Sequence, residues 1–146
     1  MAVTVKKVTL WRKEVENKPG ALAGTLEPLA RAGADLRVVM GYRFPGMEAS
    51  GAIEVHPVAG KRVIAAAKAA GLDASTISTL LVEGDNRPGL GHVIAQAIAE
   101  GGINLSFVLA QVVGRKYAAV LGFETAADAD GAMNLIKKAS ARKSSR

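Results

Sequence analysis

Residues 83–105, EGDNRPGLGHVIAQAIAEGGINL, read as a strand end, a turn at Asn86-Arg87-Pro88-Gly89, a helix and the entry to a second strand. Leu90, Val93, Ile94, Ala97 and Ile98 recur at helical spacing and form one apolar stripe suited to packing on a sheet. The helix stops at Gly101-Gly102, where left-handed backbone carries no steric cost. The same pattern stands 69 residues earlier: EVENKPGALAGTLEPLARAGADL, residues 14–36, aligns without a gap at seven identities in 23 positions. Chance supplies about one or two such matches. Glu16 with Asp85, Lys18 with Arg87 and Asp35 with Asn104 are conservative pairs, so the chain reads as an internal duplication.

Each copy continues in the same order. In the second, the apolar run Ile103 to Val113 is followed by a polar turn at Gly114 to Lys116 and a strand from Tyr117 to Phe123. Thr125 is a candidate N-cap for a helix that points Ala129, Ala132, Met133 and Ile136 inward. In the first, the pattern predicts a helix over 20–33, strands over 35–44 and 47–56, and a helix over 58–70 with Val63, Ala66, Ala67 and Ala70 inward. Pro28 inside the first helix predicts a kink or an early tightening there, because it removes a hydrogen bond and crowds the Gly24 carbonyl. The order is the split βαβ arrangement. The fold class expected is α+β: two ferredoxin-like βαββαβ units side by side, spanning 1–74 and 75–146, with antiparallel sheets and helices on one face.

The second unit lacks an evident last strand. After Ala139 only SARKSSR remains, too polar for a half-buried strand, and the first copy has only LDAST, residues 72–76. An open sheet edge invites foreign pairing. Val3 to Lys7, or a partner chain, is therefore expected beside Ile77 to Glu83.

Composition narrows the function. The 146 residues are 49% hydrophobic and 22% charged, enough to bury a core in one domain or two small ones. One Trp, two Tyr and three Phe leave an aliphatic core with few stacking platforms. The absence of Cys removes disulfides and thiolate chemistry, and two His are too few for a zinc site without carboxylates, so no metal or cofactor is expected. No uninterrupted apolar run suggests a signal peptide or a membrane span, which gives a cytoplasmic reading. The net charge of +6 owes five of its 19 cations to the tail IKKASARKSSR, read as a frayed solubilising end.

The duplicated turn carries the functional reading. Its bland explanation is that Pro suits the first turn of a helix and Gly lets the chain bend into it. Its functional explanation is that the amides at Gly89, Leu90 and Gly91, at the positive helix end, seat a small carboxylate. Asn86 and Asn104 add groups that both donate and accept. The two segments resemble the strand-to-helix segment of the ACT domain family, and together the two matches cover nearly the whole chain. That resemblance implies amino-acid-binding regulatory modules that act on attached or associated enzymes. It implies ligand-binding positions at Asn17, Lys18, Pro19, Gly20, Ala21, Leu22 and Asp35 in the first copy, and Asn86, Arg87, Pro88, Gly89, Leu90 and Asn104 in the second. It also implies a ligand at the meeting of paired units, with Asn86 toward Asp35 and Asn17 toward Asn104. A histidine found two residues before the turn in serine-responsive members is replaced by Gly84 here and by Val15 in the first copy. The acid Asp35, in place of an amide, favours an ammonium and sets the two sites apart.

The implied partners are an amino acid ligand and either a homo-oligomer, a dimer, or an associated metabolic enzyme, without membrane. Three rivals stand beside this reading. An assembly module with no ligand uses the same Pro and Gly. An RNA-binding fold shares the topology, but RKYAAVLGF has Ala119 and Gly122 at its aromatic positions, which disfavours nucleic acid. A phosphate-binding turn fails because Ile94 follows Gly89 and Gly91 where a third glycine belongs. His56 and His92 have no Ser or Asp at triad spacing, so the chain reads as a non-enzyme.

Overall fold

The computed structural model describes residues 3–141. It divides into two compact units: Thr9 to Thr76, and the residues up to Val8 joined with those from Ile77 onward. Each holds a four-stranded antiparallel sheet and two helices. The class is α+β, with the ferredoxin-like topology repeated. Among the described residues no helix is long and apolar enough to cross a membrane.

In chain order the elements are β1 (Thr4–Val8), β2 (Trp11–Glu16), α1 (Ala21–Arg31), β3 (Val38–Phe44), β4 (Met47–His56), α2 (Lys61–Ala69) and β5 (Asp73–Ala74). There follow β6 (Ser78–Asp85), α3 (Leu90–Glu100), β7 (Phe107–Val113), β8 (Lys116–Phe123) and α4 (Ala126–Ala141). The first unit's sheet runs β3-β4-β2-β5 and the second's β1-β6-β8-β7. The two orders are equivalent, with β1 in the place of β5. The last strand of the second unit is thus the first strand of the chain. β1 pairs antiparallel with β6 from Thr4 opposite Glu83 to Val8 opposite Thr79. The expected pairing beside Ile77 to Glu83 is present, and Val3 to Val8 go with the second sheet rather than with a unit spanning 1–74. The physical reason is that β6 buries Thr79 to Val82 in succession and pairs with β8 along one edge, and among the described residues no strand after α4 covers the other.

Period-two alternation selects the buried face of each sheet. Ile53 and Val55 of β4 join Leu29 of α1, Val63 and Ala67 of α2 and Leu72 in one core. In the second unit Leu80 and Val82, Ala119, Leu121 and Phe123 meet Leu90, Ile94 and Ile98 of α3 and Ala129, Ala132 and Ile136 of α4. Val5 of β1 and Val3, just before it, complete that core.

Four local expectations are corrected. β3 starts at Val38 and β7 at Phe107, three residues or more after the predicted starts. Leu36, Ile103 and Leu105 in the intervening stretches, with Ala34 just before, alternate because they pack on the cores, not because they pair. α2 starts at Lys61, after a Gly60 cap. α1, by contrast, continues through Pro28 to Arg31 and tightens just beyond it, the Ala32 amide donating to the carbonyls of both Pro28 and Leu29. α4 runs through Ala141, so the tail is helical up to that residue; the expectation for 142–146 lies outside the described residues. Thr125 caps α4 as expected, its Oγ1 accepting from the Asp128 amide at 3.0 Å.

Candidate functional site

The duplicated turn has one geometry in both units. The Ala21 amide donates to the Lys18 carbonyl at 3.2 Å, and the Leu90 amide to the Arg87 carbonyl at 3.2 Å. Gly20 at φ 88°, ψ −8° and Gly89 at φ 84°, ψ −1° occupy the left-handed region as helix caps. These are type II turns, with Pro at the second position and Gly at the third, where φ must be positive. Pro19 and Pro88 therefore lie before the cap and not in the first helical turn. Here Gly is required by backbone conformation, since no atom lies within 4 Å of a Cβ built at Gly20 or Gly89.

The turn also commits an amide counted as part of the seat. The Leu90 N–H closes the turn, and the Leu90 side chain is buried in the core. The Gly89 carbonyl accepts from Val93 at 3.0 Å, which starts the helical ladder. What the second turn presents outward is Asn86, Pro88, Gly89 and Gly91, all exposed.

The two units differ in how they use the asparagine. In the first, the Asn17 amide donates to Ala49 O and its side-chain Nδ2 to Glu48 O, each at 2.8 Å, which ties the turn to the β3–β4 hairpin. In the second, the Asn86 amide donates to Arg115 O at 2.8 Å, and among the described residues its side chain has no such bond. The brace beside it is an ion pair, Lys116 Nζ to Asp85 Oδ1 at 2.5 Å, and the lysine holds the Asp85 carboxyl below its ordinary range. Leu22, 45% exposed, stands where the second unit has Gly91. A Cβ at Gly91 would meet nothing closer than Tyr117 Oη at 3.8 Å. The second helix start is the more open of the two.

Asp35 and Asn104 precede β3 and β7 and lie at the C-terminal ends of α1 and α3. Asp35 Oδ2 accepts from Arg37 Nε at 3.1 Å and Nη2 at 2.9 Å, so its charge is already matched. Asn104 is exposed. The 11 residues of α3 lie between Asn86 and Asn104, a rise of about 16 Å. No single small amino acid touches both within one unit.

Sequence reasoning missed Tyr117, which lies beneath Gly91 and whose phenol is pushed up by burial. The residue stands in RKYAAVLGF, where it was weighed only as a nucleic-acid aromatic; it is 7% exposed and belongs to the core. It also missed a buried carboxylate in the first sheet. Glu54 is fully buried, its Oε2 accepting from Tyr42 Oη at 2.6 Å with Arg12 Nε at 3.9 Å, while Oε1 has no partner. An acid inside the apolar run AIEV, directly opposite Arg12 in register, was the available signal. Among the described residues no group of three or more His, Asp or Glu could hold a metal ion.

Fold and turns together define two ferredoxin-like units, each with the same Pro-Gly turn before its first helix. Solved structures share the arrangement over nearly the whole chain. Protein BT0572 from Bacteroides thetaiotaomicron is similar at a TM-score of 0.73 and 16% identity, over 92% of this chain and 89% of that one. The ligand-free regulatory subunit of aspartate kinase from Thermus thermophilus is similar at 0.63 and 17% identity, over 95% and 97%. A C-terminal regulatory domain of aspartate kinase from Porphyromonas gingivalis is similar at 0.58 and 11% identity, over 97% of each chain. No family model matches the chain. No curated protein matches it either.

Proposed function

We propose that the chain is a non-enzymatic regulatory protein that senses a small amino acid and modulates a partner, either a copy of itself or an associated metabolic enzyme in the cytoplasm. The observation that carries this reading is the second turn. An exposed Asn86, its side chain uncommitted, stands at a helix N-terminus kept open by Gly89 and Gly91. A carboxylate is favoured at the positive end of α3, and the asparagine amide offers a donor and an acceptor to the same ligand. Likeness in fold to regulatory subunits of aspartate kinase supports the regulatory role. The first turn is the poorer seat, because Asn17 braces a hairpin and a half-exposed leucine, Leu22, stands where the second helix start has Gly91.

A thermal-shift screen of the twenty amino acids tests this. A ligand at a hundred times its dissociation constant adds about 2.7 kcal/mol, which raises the melting temperature by several degrees. One reading competes: an assembly module without ligand, favoured by the Leu90 amide and the Asn17 side chain, which are spent on holding the turns. No shift with any amino acid supports that module instead.

A further inference from the structure

The duplication supplies its own comparison beside the turns. Val15 pairs with Gly51, and its counterpart Gly84 pairs with Tyr117, so Gly51 and Tyr117 hold equivalent places in β4 and β8. The first unit carries Leu22 at the helix start and Gly51 in the strand, whereas the second carries Gly91 and Tyr117. Bulk has moved from the helix start to the sheet, and a hydroxyl has come with it. Packing accounts for the ring: Tyr117 is buried in the second core. It does not account for the hydroxyl. Among the described residues Tyr117 Oη has no hydrogen-bond partner, and the only sealed side-chain polar atom without one is Glu54 Oε1, so the tip of this buried side chain opens to the surface. It opens at the start of α3, 3.8 Å from where a Cβ on Gly91 would stand. Val112, its partner in β7, lies beside it on the same face. Burial raises the phenol above its ordinary value, so it stays protonated at neutral pH and can donate. At the same helix end the Leu90 amide closes the turn and Val93 opens the ladder, while Gly91 and His92 donate to no backbone carbonyl among the described residues.

We infer that Tyr117 determines specificity at the second turn: its hydroxyl hydrogen-bonds an oxygen on the side chain of the bound amino acid and so selects a short, neutral side chain that carries one, a hydroxyl or a primary amide. The assignment rests on the ligand reading above. A carboxylate is common to all amino acids, and the free Gly91 and His92 amides at the positive helix end match it. Asn86 serves the ammonium, which is also common to all. The phenol is left for the part of the ligand that varies. Gly91 and Val112 give it an apolar rim, which disfavours an ionised side chain. A purely apolar side chain fits the rim but leaves the hydroxyl covered and unpaired. The first unit makes no such selection, because Gly51 brings no hydroxyl and Leu22 stands at its helix start.

Calorimetric titration of the unaltered chain and of Tyr117→Phe tests this with pairs of amino acids alike in size: serine and alanine, threonine and valine, asparagine and leucine. In the unaltered chain the oxygen-bearing member of at least one pair is expected to bind tighter than its partner by roughly tenfold or more. In Tyr117→Phe that preference should fall to near equality, with the apolar member bound as before and melting unchanged, since the hydroxyl has no partner in the free protein. Gly91→Ala leaves the ring in place and sets a methyl group against the hydroxyl, so it should shrink the same preference should Tyr117→Phe fail to fold. A preference untouched by these variants overturns the inference. So does a chain that binds both members of every pair equally, or a uniform loss across all six amino acids in Tyr117→Phe, which would put the hydroxyl on the shared carboxylate. Binding with an unmoved preference leaves the ligand reading standing and removes only the role of Tyr117. No binding by any of the twenty amino acids removes both.

Discussion

Val3 lies directly against Gly84: a Cβ built on Gly84 falls 2.9 Å from Val3 Cγ1 and 3.2 Å from Val3 Cα. The N-terminal strand occupies the space that a side chain at position 84 would fill. This accounts for glycine at the position where serine-responsive ACT members are expected to carry a histidine. The strand that completes the second sheet holds that place.

Gly84→Ala is expected to push β1 from β6, because the methyl group meets backbone as well as side chain. Chemical denaturation should show a loss of about 1–3 kcal/mol, the usual cost of overpacking. Hydrogen exchange at Leu80 and Val82 should quicken with it.

Deletion of Ala2 to Val5 removes Val3 and Val5 from the second core. Each buried valine contributes about 1.5–3 kcal/mol. Calorimetric melting should fall accordingly, and light scattering should show self-association through the uncovered β6 edge. A deleted chain with unaltered melting and oligomeric state would refute the role given to β1.

Much of this architecture was legible in the sequence. Strand 47–56 and the Thr125 cap were readable from local pattern, because alternation and capping are decided within a few residues. The place of β1 was readable from a missing partner. The starts of β3 and β7 were not, since Leu36 and Leu105 alternate like strand residues while only packing on a core. The different duties of Asn17 and Asn86 were equally hidden. A hydrogen bond from Asn17 to Glu48, 31 residues away, depends on where a hairpin comes to rest. The type II turn is a milder case: Pro-Gly announces it, but the same pair also serves a helix start.

Tyr42→Phe tests the buried carboxylate. Burial, and then the hydrogen bond to Glu54, push the Tyr42 phenol above its ordinary value. A raised folded-state value favours the neutral phenol, so its stabilisation is complete below about pH 10, the unfolded value, and is lost as pH rises from there through the folded value. Thermal melts from pH 7 to 11 should show this decline, less steep in Tyr42→Phe. At neutral pH the variant should lose about 1–3 kcal/mol, because both Glu54 oxygens are then without a hydrogen bond.

Gly20→Ala and Gly89→Ala separate turn strain from ligand contact. Both glycines have positive φ and open space around them. Each alanine should cost about 1–2 kcal/mol of stability through backbone conformation alone. Denaturation midpoints should fall by similar amounts in the two variants, since the turns share one geometry.

Isothermal calorimetry with the best amino acid from the screen, on Asn86→Ala and Asn17→Ala, tests the central claim most directly. The exposed Asn86 side chain has no hydrogen bond to lose among the described residues, so its truncation should leave folding nearly intact while weakening binding by about 1–3 kcal/mol. Asn17→Ala should instead lower stability by removing the brace to Glu48, with a smaller effect on affinity. Affinity unchanged in Asn86→Ala would contradict the account and leave the duplicated Pro-Gly as a turn alone.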